Sequence, residues 1–96
     1  MDRSHLQAEA WIGDAVLSLW ARLRILSMDG LVDAEKCIRL TSNQFLSVFG
    51  EPTSVEAEIG RIYQRRGEQA AFAWIEEHIA PVFEKQEENR RKRGGK

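Results

Sequence analysis

Ninety-six residues, 43% of them hydrophobic, suffice for one domain with a single core and are too apolar for a disordered chain. The lone Cys37 excludes an intrachain disulfide, and Asp14, Arg22 and Arg24 interrupt the long apolar stretches, which excludes a membrane span. The net charge of −1 is unevenly spread: NRRKRGGK at 89–96 carries five positive charges and no acid, leaving −6 on the remainder.

In chain order the signals are helical throughout. Ser4 and Gln7 stand in capping-box spacing, which predicts a long helix over about 5–26, ended by the turn SMDG at 27–30. A second helix is expected from Asp33 to about Leu40. Thr41 with Gln44 offers another capping box, for a short helix ending at Gly50. Pro52 suits the first turn of a helix closing at Gly67, and from Glu68 a last helix continues until Pro81 kinks or breaks it. With no alternating β-branched stretch and no internal repeat, the expected fold is all-α with about five helices. Residues 1–88 read as the domain and 89–96 as a basic, disordered tail. The expected location is cytoplasmic, because the sequence opens without a basic-then-apolar leader.

The first helix poses a question. AWIGDAVLSLW (10–20) places an acid inside an apolar run, and an ionised carboxylate taken from water costs several kcal/mol unless compensated. At 100° per residue, Gln7, Asp14, Ser18 and Arg22 fall within about 80° of one another, a narrow polar stripe. Glu9 lies about 140° round the helix from Asp14 and cannot share a site with it from the same helix. Such a helix is expected to be central, with Trp11, Val16, Leu19, Trp20 and Leu23 needing neighbours on several sides. Gly13 costs roughly 1 kcal/mol against Ala in mid-helix, and its expected return is the close approach of another backbone. Asp14 is then either an acid paired with Arg22 or another base, or a metal-binding carboxylate. The second option needs an oxygen ligand from another helix, because Mg²⁺ is held by one or two carboxylates together with water and phosphate.

The candidate partner lies in TSVEAEIGRIY (53–63). Val55, Ile59, Ile62 and Tyr63 form the face expected to be buried, and Glu56 borders it beside Thr53, Ala57 and Gly60. Glu58 falls on a solvated face with Ser54, Arg61 and Arg65. The alternative for Glu56 is a capping box with Thr53. His5 and His78 lack a partner at metal spacing and read as surface or capping groups. Trp20 and Trp74 read as core or dimer contacts, Cys37 as a small buried hydrophobe, and Arg65 and Arg66 as favourable charges at a helix C-terminus.

EAWIGDAVLSLW (9–20) resembles the signature helix of the ribonuclease III family, in which an acidic-aromatic stretch leads into Leu-Gly-Asp-Ala-Val-Leu. LTSNQFLSVFG (40–50) is similar to the family's Val-Ser-Asn segment. VEAEIGRIYQRRGEQAAFAWIEEHIAPVFEKQ (55–86) is similar to its Phe-Glu-Ala-Leu-Ile-Gly-Ala-Tyr helix and the helix after it. The ordered resemblance covers about residues 4–86. It implies that Asp14 matches the aspartate of the Gly-Asp pair and Glu56 the glutamate of the second motif. The three other acidic positions of the family are occupied by Gln7, Ala10 and Thr53. Ala and Thr in two of those places resemble the Mini-ribonuclease III branch, which also lacks a double-stranded-RNA-binding domain. The Arg-Gly-Arg-Asn-rich loop of that branch is absent, and the stretch between the motifs is shorter.

The resemblance implies a homodimeric endoribonuclease that cleaves double-stranded RNA with Mg²⁺ or Mn²⁺ held by Asp14 and Glu56, a duplex lying in a valley across the dimer. A-form RNA is read in such a valley by shape, phosphate and 2′-hydroxyl. The tail residues Arg90, Arg91, Lys92 and Arg93 would then supply salt-sensitive phosphate contacts. The competing expectation is a domain of the same fold that has lost its chemistry and serves RNA binding or assembly.

Overall fold

A computed structural model describes residues 3–95, and the side chains of 3–94. The fold is all-α. Five helices of eight residues or more are joined by a single-turn helix: α1 (Arg3–Asp29), α2 (Ala34–Thr41), α3 (Asn43–Leu46, the single turn), α4 (Pro52–Arg66), α5 (Glu68–His78) and α6 (Ala80–Gly95). Among the described residues no helix is long and apolar enough to cross a membrane.

Local chemistry sets the ends of the helices. The first runs longer than expected at both ends, so Ser4 lies inside it, and it closes only at Gly30, which has a φ of 75° and donates its N–H to the Leu26 carbonyl with N···O 3.0 Å. The Asp33 side chain caps α2 by accepting from Lys36 N at 3.0 Å. The cap of α3 is Ser42, accepting from Phe45 N at 3.1 Å, one residue beyond the Thr41 box expected. Pro52 opens α4, as expected, but the cap is Glu51, which accepts from Thr53 N at 3.2 Å and Ser54 N at 2.9 Å. That leaves Glu56 with no capping task.

The main packing is α1 against α4. Gly13 and Gly60 face each other where the two helices cross. A Cβ on Gly13 would fall on the Glu56 carbonyl, and one on Gly60 would fall on the carbonyl of Glu9. The backbone approach expected at Gly13 is therefore present. Around this crossing Leu17, Trp20, Leu46, Ile59, Ile75 and Ile79 close the core, with Phe83 edge-on to Phe45 at 5.4 Å between ring centroids.

Three expectations are corrected. Helix α1 is not enclosed on all sides. Val16 and Trp20 are buried, but Trp11 is 78% exposed and Leu19, Leu23 and Leu26 are almost half exposed, so one apolar face has no cover within the chain. On α4, Val55 and Ile59 are buried while Tyr63 is exposed. The break expected at Pro81 falls between α5 and α6, yet the stretch read as a disordered tail continues α6 as helix through residues 89–95. Glu88 pairs with Lys92 at 3.6 Å, and Lys92 and Arg93 occupy the last turn of this helix, where positive charge suits the helix dipole. Lys96 lies outside the described residues.

Candidate carboxylate site

Because Gly13 and Gly60 admit no side chain, α1 and α4 come close enough for Asp14, one residue beyond Gly13, to meet Glu56, one turn before Gly60. Both carboxylates line an open groove of about 720 Å³, together with Gln7, Ala10, Asn43 and Thr53, and Trp11 stands at its rim. Asp14 and Glu56, the two acids expected to hold a cation, thus share one groove with Gln7, Ala10 and Thr53. Asn43 joins them from the α2–α3 junction and was not anticipated. Among the described residues Asp14 makes no ion pair with Arg22, which lines a different pocket with Ile25, Leu26 and Ile38. Among the described residues no other base forms an ion pair with Asp14 either.

Glu56 senses the neighbouring acid. The Glu56 carboxyl is pushed up to about 7, first by burial, then by the negative charge of Asp14 and a side-chain hydrogen bond with it, in which protonated Glu56 donates. The folded chain therefore holds this proton more tightly than the unfolded chain, whose ordinary value is 4.5. Folding takes up a proton between those two values, and stability falls as pH rises through that window. With allowance for solvent screening of a half-buried group, the loss between pH 5 and 7.5 is about 1–2 kcal/mol. Urea midpoints at those two pH values measure it, and Glu56→Gln should abolish the difference. The lowered carboxyls of Glu9, Glu51 and Glu87 act with the opposite sign and only at lower pH.

Two carboxylates in a groove that Asn43 and Thr53 also line offer the oxygen-donor chemistry that a hard divalent cation takes. Burial first, and the Asp14 charge second, hold the proton on Glu56 near neutral pH, and a divalent cation bound between the two acids would displace it. Among the described residues no group of three or more His, Cys, Asp or Glu side chains is placed to hold a metal, so the site is a pair.

Sequence reasoning missed the residue that fixes the other side of the crossing. Glu9 is buried, 5% exposed, and its carboxylate accepts from Arg61 Nη2 at 2.9 Å and Nε at 3.3 Å, with His5 Nε2 at 3.3 Å. Arg61 also donates to Glu58 at 2.5 Å. The signal was present: Glu9 precedes Gly13 by four residues and must face the same partner helix, and Arg61 follows Gly60.

The remaining residues keep structural roles. Trp20 is buried and donates to Glu76 at 3.3 Å, Cys37 packs at the core margin, and His78 stacks on Trp74 at 4.6 Å. None of Arg90, Arg91, Lys92 and Arg93 lines the carboxylate groove. No family model, curated protein or solved structure matches the chain.

Proposed function

We propose that the protein is a divalent-metal-dependent endoribonuclease of ribonuclease III type that cleaves double-stranded RNA as a homodimer. The observation that carries this reading is the meeting of Asp14 and Glu56 in one groove with Gln7, Ala10 and Thr53. The order of motifs along the chain resembles the family, and the acids that survive in that order are the two that face each other.

Asp14 and Glu56 would hold the cation, with the Asn43 amide and Thr53 hydroxyl in reach of water or substrate in the same groove. Bound Mg²⁺ supplies polarisation of a phosphodiester, activation of water and stabilisation of the leaving oxygen. Glu56 must release its proton for the pair to act as a doubly charged ligand, so cation binding, and activity with it, should weaken as pH falls below neutral. The groove is open, so a duplex backbone can approach the carboxylates without opening the core.

The dimer is supported by the uncovered face of α1. Trp11, Leu19, Leu23 and Leu26 lie exposed along it, and Leu31, Val32 and Ile38 extend the apolar surface onto the α1–α2 connection and α2. Such a surface marks an interaction site, and twofold self-association is the commonest way to cover it. Light scattering should give twice the 11.0 kDa chain mass at micromolar concentration. A Leu19→Glu, Leu26→Glu double variant should run as a folded monomer, and a monomeric wild type removes the valley from this reading.

Long duplex RNA with Mg²⁺ tests the activity. Cleavage is expected for the wild type and for Glu58→Gln, and is expected to vanish in Asp14→Asn. A second reading, an RNA-binding or assembly module without chemistry, is favoured by one observation: Gln7, Ala10 and Thr53 stand uncharged in the groove, leaving two carboxylates. Binding without cleavage in both Mg²⁺ and Mn²⁺ selects that reading.

A further inference from the structure

A second groove, of about 570 Å³, lies on the other side of the α2–α3 junction from the carboxylates. Ser42 and Gln44 line it from the junction, and Asn89, Arg90 and Arg93 line it from α6. Within it Arg39 is held by Glu87 through two bonds of 2.9 Å. Arg90 and Arg93 are one turn apart on α6, and neither forms an ion pair among the described residues. Three guanidinium groups thus face one carboxylate.

The two grooves share a wall. Thr41 and Asn43 line the carboxylate groove, while Ser42 and Gln44, alternating with them along the chain, line the basic one. Consecutive Cα atoms are about 3.8 Å apart, so a single strand of chain separates the two surfaces. The two basic residues between Arg90 and Arg93 on α6 point elsewhere. Arg91 lines a crevice with Arg24, Asp29, Lys36 and Glu84, and Lys92 is turned to Glu88 at 3.6 Å.

We propose that this groove seats the phosphate backbone of a duplex RNA next to the stretch lying over Asp14 and Glu56, with Arg90 and Arg93 as the phosphate contacts and Arg91 and Lys92 taking no part. The proposal rests on the ribonuclease reading for the identity of the nucleic acid. A pair of carboxylates repels a phosphate chain, so a backbone crossing them needs cationic anchors beside the site, and such anchors set position rather than sequence.

The experiment compares the full chain with R90Q/R93Q and R91Q/K92Q, which lose the same charge from the same helix. Binding of a long duplex RNA is followed by anisotropy in EDTA over a salt series, and cleavage in Mg²⁺ is assayed in parallel. R90Q/R93Q should weaken binding at least tenfold and lower the slope of log K against log salt by about two. R91Q/K92Q should stay within about threefold of the wild type, as should R90K/R93K, which keeps both charges and guards against a simple loss of helix. Equal losses in the two glutamine variants, or no loss in R90Q/R93Q, overturn the assignment. If this happens while the wild type still cleaves, only the groove is lost. A wild type that neither binds nor cleaves duplex RNA removes the ribonuclease reading and the groove together.

Discussion

Asp14→Asn is expected to melt at the temperature of the wild type, or a few degrees above it, in the absence of divalent metal, and to lose the rise in melting temperature that Mg²⁺ gives the wild type. Two carboxylates in one groove repel once both are ionised, and the Asp14 charge is, after burial, a cause of the raised Glu56 carboxyl. Neutralising Asp14 relieves this repulsion by about 1 kcal/mol, which for a chain of this length is about 4–8 °C. A ligand bound only by the folded state adds about 2.7 kcal/mol at a hundred times its dissociation constant, a rise of about 10 °C or more. A purely structural Asp14 reverses both signs: the amide then costs stability because a partner is stranded, and Mg²⁺ acts alike on both proteins. Four thermal melts separate the cases. A clear loss of stability in metal-free Asp14→Asn, with no metal-dependent difference, sinks the site.

That contrast was posed by the sequence, and the residues show why it could be. Helix ends were readable because caps and breakers act locally: Asp33, Pro52, Gly67 and Pro81 fall at or beside observed boundaries. Gly13 was informative because a glycine inside a helix needs a tertiary reason, and the Glu56 carbonyl is that reason. The failures concern what a partner brings. A helical wheel places Glu9 on a face but does not say that Arg61 will cross to meet it. Arg61 was assigned to water because its Cα faces that way, whereas its long side chain reaches back to the buried carboxylate. Similarly, the apolar circumference of α1 does not distinguish a face buried in its own core from one left for another chain. Leu19, Leu23 and Leu26 have the same composition as the core and the opposite exposure. At the basic end of the chain the charge count suggests a solvated tail, while the placement of the charges, with Lys92 four residues after Glu88 and bases in the last turn, favours helix.

Gly60→Ala and Gly13→Ala are expected to be the most destabilising single substitutions in the chain, at about 3 kcal/mol or more each, although alanine is the better helix former. Propensity alone favours Ala over Gly by roughly 1 kcal/mol in a helix interior. Gly94, in α6 with nothing within 4 Å of an added Cβ, should show that preference as a small gain near the helix end. At the crossing the sign inverts. A Cβ on residue 60 meets the Glu9 carbonyl and comes within 2.9 Å of Gly13 N, both of them backbone atoms that cannot turn aside, so the two helices must separate. Separation loosens both sides of the contact at once. It stretches the Glu9–Arg61 bonds and draws Asp14 away from Glu56. A folded Gly60→Ala protein should therefore show the Glu56 carboxyl titrating closer to its ordinary value, together with weaker Mg²⁺ stabilisation and a lower denaturation midpoint. Side-chain carboxyl NMR of Glu56 alongside urea melts of the three alanine variants reads both effects. If Gly60→Ala is as benign as Gly94→Ala, the backbone contact does not hold the carboxylates together, and the groove owes its shape to something other than the crossing.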